Sequence, residues 1–179
     1  MIAWHPFLVG EATYDLSHLH PRRIEFVQPA KGDVPERSYQ VQLIYGLHCF
    51  TRSPAQDEAV DPAWHYGDSR ETRIFCPRRY AMSRLLPGIV EGLAARPCYH
   101  TERGNFFVIE LVDEAGVAQQ YEVYFTASRA TERGVLNLYV QSAYVRDKLH
   151  QNRPKKKSIR LQVILHNTLH NKPIKAPPR

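Results

Sequence analysis

Hydrophobic and polar positions change period several times along the chain, and each change marks a different element. From Tyr39 to Phe50 the pattern alternates, with Tyr39, Val41, Leu43, Tyr45, Leu47 and Cys49 on one side and Gln40, Gln42, Gly46 and His48 on the other; this predicts a half-buried strand over residues 39–52. Residues 1–38 ahead of it read as irregular, although the region around Arg22 to Val27 is a candidate pairing partner. Residues 53–73 offer Pro54, Pro62, Gly67 and scattered acids with no period, a long loop of the kind that serves as a lid or a mobile segment. Pro77 then stands where a helix favours its first residue, and Tyr80, Ala81, Leu85, Leu86, Ile89, Val90 and Leu93 recur at near-helical spacing, so a helix is expected over residues 77–95. Pro87 must either kink it or open a second short helix. From Asn105 the period returns to two, with turns at Asp113 to Gly116 and around Arg133 and Gly134, which predicts an antiparallel meander over residues 105–166. Its last strand is expected to put Ile159, Leu161, Val163 and Leu165 on one face, and residues 172–179, with three prolines, read as a frayed tail. The fold class that follows is α+β, with helical segments packed on a mostly antiparallel sheet.

At 179 residues, one domain suffices. The fractions of hydrophobic (43%), aromatic (11%) and charged (23%) residues exclude wholesale disorder. A net charge of +6 and a pI near 9.3 tilt the expected partner toward an anion, because clustered Lys and Arg gain affinity for phosphates by releasing condensed counterions. No secretory signal and no 18-residue apolar run is visible, so a cytoplasmic protein with no membrane partner is expected. Cys49, Cys76 and Cys98 are odd in number and never form a C-x-x-C pair, which argues against a disulfide framework.

Candidate chemistry gathers in three polar stretches. His48 falls on the polar face of its strand near the end, beside Thr51 and Arg52, where it could do acid–base work while its neighbours bind a phosphate. Asp15, His18 and His20 sit in one turn-like segment; with His48 and Cys76 the two histidines could form a metal site, or Asp15 could cap while the histidines anchor a loop. Cys76, Pro77, Arg78, Arg79 and Tyr80 open the helix. A helix N-terminus disfavours cations unless an anion is present, so the two arginines read either as an anion cradle or as partners of Asp57, Glu58, Asp61 or Asp68 in the preceding loop. The basic run Lys155, Lys156, Lys157 adds a further phosphate grip. Cys76, beside two arginines, is the better placed of the cysteines for nucleophilic chemistry, whereas Cys49 points to the core by alternation. Leu136, Leu138 and Val140 alternate into Ser142 and Tyr144, which places two hydroxyls at the end of an otherwise apolar face.

The stretch from Leu138 to Tyr144, ending in Gln141, Ser142, Ala143 and Tyr144, resembles the closing strand of the barnase/EndoU/RelE-like ribonuclease and toxin superfamily. The likeness covers at most residues 76–145. It implies RNA cleavage without metal or other cofactor, in which a 2′-hydroxyl attacks the neighbouring phosphate, and only Ser142 and Tyr144 match by position. Three functional expectations result. One is a small basic ribonuclease of the toxin or defence-effector kind, held by a protein inhibitor, with His48 or His18 as base, a second histidine as acid, Arg79 and Arg52 on the phosphate, and Tyr144 and Ser142 positioning. The second is a non-catalytic module gripping nucleic acid, RNA favoured, through Lys155 to Lys157, Arg78 and Arg79. The third is a regulatory domain around a Cys/His structural metal.

Overall fold

The computed structural model describes residues 3–101, 103–146 and 157–175. In chain order the strands are β1 (Phe7–Val9), β2 (Ala12–Tyr14), β3 (Arg22–Gln28), β4 (Arg37–His48), β5 (Thr51–Arg52), β6 (His65–Gly67) and β7 (Thr72–Phe75). Helices α1 (Pro77–Ser83) and α2 (Leu86–Glu91) follow, then β8 (Cys98–His100), β9 (Phe106–Glu114), β10 (Val117–Arg129), β11 (Val135–Val145), β12 (Lys157–Ile159) and α3 (Leu161–Leu169). Seven strands form one curled sheet in the order β12-β8-β9-β10-β11-β4-β3, with a β5-β7-β6 sheet and a β1-β2 hairpin beside it. The class is α+β as expected. The sheet itself is mixed rather than mostly antiparallel: β4 pairs with β11 in parallel, Val41 opposite Leu136 and Leu43 opposite Leu138, and pairs with β3 antiparallel on its other edge. A parallel ladder needs a long crossover, and the connection from β4 to β11 carries everything from β5 to β10.

One contiguous core lies on one face of this sheet. Val41, Leu43, Tyr45 and Leu47 of β4, Leu136, Leu138 and Val140 of β11, and Val123 and Phe125 of β10 pack with Leu86, Ile89 and Val90 of α2 and Leu161, Ile164 and Leu165 of α3. At about 25 cal/mol per Å² of apolar surface, each fully buried Leu or Phe contributes on the order of 2 kcal/mol before entropy is counted. No helix is long and apolar enough to cross a membrane among the described residues.

Several expectations are corrected. The segment after Ile159 is helix α3, not a strand: Leu161, Ile164 and Leu165, at helical spacing, are the buried residues, while Val163 is exposed. The apolar stripe at i, i+3 and i+4 fits this stretch as well as alternation does, and packing on β10 decides between them. The span 77–95 breaks into α1, α2 and a 3-10 turn at Gly92–Ala95, with Pro87 in the first turn of α2. Residues 53–73 are not a bare loop, since Asp61 caps a 3-10 turn at Pro62–Trp64 by accepting from Ala63 N–H at 2.9 Å, and β6 and the start of β7 follow. Residues 1–38 hold β1, β2, a 3-10 turn at Ser17–Leu19 and β3. Finally, Ser142 and Tyr144 do not share the face of Val140. The register slips at Gln141 against both neighbours, so Val140 faces Phe125 while Ser142 pairs with Tyr124 and Tyr144 with Glu122. One extra residue in a strand turns every later side chain to the other face.

Candidate functional site

That slip matters because it brings Ser142 beside His48. The two are direct register partners across the β4–β11 ladder, and with Arg70, Glu71, Tyr139 and Gln141 they line a concavity of about 440 Å³. His48 Nε2 donates to Glu71 Oε1 at 2.7 Å, and this bond, the largest cause, holds the Glu71 carboxyl below the ordinary carboxylate range. Arg73 lies 3.6 Å from the other Glu71 oxygen and donates to Thr51 Oγ1 at 3.0 Å, while Thr51 Oγ1 donates to Leu47 O. A histidine with an oriented carboxylate beside a hydroxyl is an arrangement that can move a proton. Glu71 could not be singled out from the sequence as the partner of His48, because the fold carries it there from 23 residues away.

The neighbouring cations are largely committed. Arg52 forms two bonds to Glu58, at 2.6 and 2.5 Å, and holds the Glu58 carboxyl down at about 2. Arg78 likewise forms two bonds to Glu114, at 2.7 and 2.6 Å, and lowers that carboxyl's pKa. Their role as phosphate ligands is therefore replaced by internal ion pairs. For Arg78 the ion-pair alternative holds in kind, with Glu114 of β9 in place of an acid from the preceding loop. Arg79 donates from Nη1 to the carbonyls of His48 and Thr51, at 3.2 and 2.7 Å, and its guanidinium carbon stands 5.6 Å from the centre of the Tyr144 ring. It anchors the β4–β5 turn. Because α1 is only seven residues long and Arg79 points to these carbonyls, the helix-end cradle is not what the two arginines build.

The remaining candidates lie elsewhere. His18 Nε2 donates to Ser83 Oγ at 2.9 Å, whose own proton goes to Tyr80 O, and its ring meets Tyr80 edge-on at 5.8 Å. Tyr80 packs on Tyr14 and Phe75. His20 donates to Trp4 O at 3.0 Å. His18 therefore pins the Ser17–Leu19 turn to α1 and is not among the described residues that line the concavity beside His48. The expected metal set of His18, His20, His48 and Cys76 is dispersed over separate parts of the fold, and among the described residues no group of three or more His, Cys, Asp or Glu could hold a metal ion. Lys155 and Lys156 lie outside the described residues; Lys157 is the first residue of β12 and pairs with His100.

A second feature was missed by sequence reasoning. The end of β3, the start of β4, residues 94–97 and the β12–α3 junction enclose a groove of about 980 Å³. Lys31, Arg37, Arg96, Arg160 and His166 line it, and among the described residues no Asp or Glu does. Arg96 is neutralised by Glu110 at 2.7 Å, but Lys31, Arg37 and Arg160 have no carboxylate partner among the described residues. Arg37 Nη1 instead donates to His166 Nδ1 at 3.2 Å. Burial, then the charges of His170 and Arg37, push the His166 pKa down. The first turn of α3 also opens here, with Arg160 at the cap position, no side-chain cap and no acidic residue. Uncapped N–H groups and unpaired cations around one hollow form a place for negative charge. The signal was spread over Lys31, Arg37 and Arg160, which no motif connects.

Comparison with known proteins identifies a family and a relative. The YjaZ family description matches residues 6–169. Protein YjaZ of Escherichia coli (strain K12) is 31% identical over 179 residues, covering 98% of this chain and 96% of that protein. No solved structure gives a significant match. A match running from β1 to the end of α3, with a relative aligned over nearly its whole length, settles membership: the chain belongs to the YjaZ family.

Proposed function

We propose that this protein binds nucleic acid through the cationic groove, gripping the phosphate backbone and not the bases. The observation that carries this reading is the convergence of Lys31, Arg37 and Arg160, without carboxylate partners among the described residues, on one hollow whose described lining holds no acidic side chain. Outside the groove, Arg23, Arg52 and Arg78 are neutralised by Glu132, Glu58 and Glu114, whereas the groove gathers three cations without such partners among the described residues. Alanines 94 and 95, Pro97 and Val163 supply its apolar wall, and its described lining holds no Phe, Tyr or Trp ring on which a base could stack. Binding without such platforms is backbone-dominated, sequence-tolerant and steep in salt.

Cleavage at His48 is the second reading, favoured by one observation, the 2.7 Å bond to Glu71. In that reaction the 2′-hydroxyl proton passes to His48, the 2′-oxygen bonds to phosphorus, and the 5′-oxygen leaves with a proton from the Tyr139 hydroxyl in the same concavity. One experiment tests both. Purified protein is titrated into single-stranded RNA at several salt concentrations, and the RNA is recovered afterwards. Binding through the groove predicts that Arg37→Ala with Arg160→Ala weakens affinity and lowers the salt slope by about 1 for each phosphate no longer neutralised; an unchanged slope sinks it. Cleavage predicts fragments ending in 2′,3′-cyclic phosphate, and intact RNA removes it.

A further inference from the structure

We propose that a small pocket between α1 and the adjoining ends of β10 and β11 binds a monocarboxylate with a short apolar body. This site is separate from the groove. Arg79, Cys76, Met82, Tyr121, Tyr144 and Val145 line it around a volume of about 200 Å³; at about 30 Å³ per water-sized group, that holds roughly six or seven such groups.

Two groups in it lack what they should have. Arg79 is half-buried, and no carboxylate pairs with it among the described residues. Both of its carbonyl bonds leave from Nη1, so Nε and Nη2, the fork that meets a carboxylate with two parallel bonds, make no bond among those residues. Burial, the largest cause, lowers the Arg79 pKa, the sign of a charge left without its counter-ion. Tyr121 is the second. Its side chain is 0% exposed and its hydroxyl has no hydrogen-bond partner among the described residues, an arrangement native structures rarely leave uncompensated. Burial keeps that phenol protonated, far above its ordinary range, so it can donate to an anion.

Charge balance selects the ligand. Arg52 and Arg78 also line the pocket, but Glu58 and Glu114 neutralise them. Among the described lining residues one positive charge remains, which a carboxylate matches and a phosphate dianion exceeds. Met82 and Val145 give a few methylene groups an apolar wall.

Cys76 provides the reporter, being the partly exposed cysteine while Cys49 and Cys98 are buried with thiols pushed up to about 12. The native chain is alkylated with iodoacetamide in sodium acetate, butyrate, hexanoate, phosphate or chloride at matched ionic strength, and modification of Cys76 is followed by peptide mass. Butyrate should slow alkylation of Cys76 and raise the melting midpoint, and acetate should do so less. Arg79 anchors a turn, so its variants can unfold for other reasons; Tyr121→Phe removes only the orphan hydroxyl. It should weaken protection about tenfold while the midpoint without ligand holds or rises. Met82→Trp, which fills the hollow, should abolish protection. Equal rates in chloride and carboxylate overturn the proposal, as does phosphate protecting as well as butyrate, or Tyr121→Phe leaving protection unchanged.

Discussion

Burial is the largest reason the His18 imidazole resists protonation, with the positive charge of Arg84 next, and the bond from Nε2 to Ser83 fixes the ring where that burial occurs. Its folded pKa is thus depressed below the unfolded value of about 6.5, so as pH falls the unfolded chain takes up the proton first. Stability from this group is complete above the unfolded pKa and is lost as pH drops through the folded one. His100 and His166 are depressed in the same direction, each with burial as the first cause. Thermal melts from roughly pH 7.5 to roughly pH 5 should therefore show a falling midpoint, and His18→Gln should flatten part of that fall; an identical pH profile in the variant would remove His18 from the account. Ser83→Ala, which deprives the ring of its acceptor, should cost about 0.5–1.5 kcal/mol in urea unfolding. At this scale the sequence was legible for residue type and opaque for partner. Glu58, six positions from Arg52, was within reach of a local guess, whereas Glu114 reaches Arg78 from 36 positions away, a juxtaposition that only the completed sheet makes.

Strands with clean alternation were readable element by element: β9, β10 and β11 stand where the period of two put them, whereas the strand expected over residues 39–52 is β4 ending at His48, with Thr51 and Arg52 in β5 of a separate sheet. Two errors have a common origin in period. The stretch from Leu161 satisfies both alternation and a helical stripe, and the surface of β10 and β11 that it covers selects the helix. The slip at Gln141 is invisible in sequence because an extra strand residue leaves composition unchanged while reversing the facing of Ser142 and Tyr144. Gly46 shows how tightly that slip is seated. A β-carbon at this position would stand 2.5 Å from the Tyr139 hydroxyl and 2.9 Å from the Gln141 carbonyl oxygen; the tyrosine can swing away, but the carbonyl belongs to the bulge itself. Gly46→Ala should accordingly destabilise by about 1–3 kcal/mol, as overpacking does, and Tyr139→Phe in the same chain should recover part of the loss. A neutral result in urea unfolding would mean that the β4–β11 ladder yields more readily than its geometry indicates.

Taken as a whole, the molecule sets the cationic groove and the His48 concavity at opposite ends of one strand. Arg37, at the groove, opens β4, and His48, beside Glu71, closes it; eleven steps of about 3.3 Å place their backbones about 36 Å apart. The expected ribonuclease site, with histidines and arginines acting on one phosphate, is thereby replaced by a cation-rich end and an acid–base end. No property of individual residues foretold this, since the division depends on a parallel ladder that lets β4 run the full width of the sheet with helices docked on its inner face. The separation has a measurable consequence. His48→Ala removes a group far from the groove, so RNA affinity and its salt slope should stay within about twofold of the parent chain, a change of under about 0.5 kcal/mol. Arg37→Ala removes one unpaired cation and the bond to His166 Nδ1, so affinity should fall and the slope should drop by about 1. Freed from that cation, His166 should also titrate at higher pH, observable by following its ring protons through a pH series, because the Arg37 charge is one of the influences holding its pKa down. If His48→Ala weakens RNA binding as much as Arg37→Ala does, the nucleic acid lies at the other end of the strand, and the groove is only an unfilled corner of a basic surface.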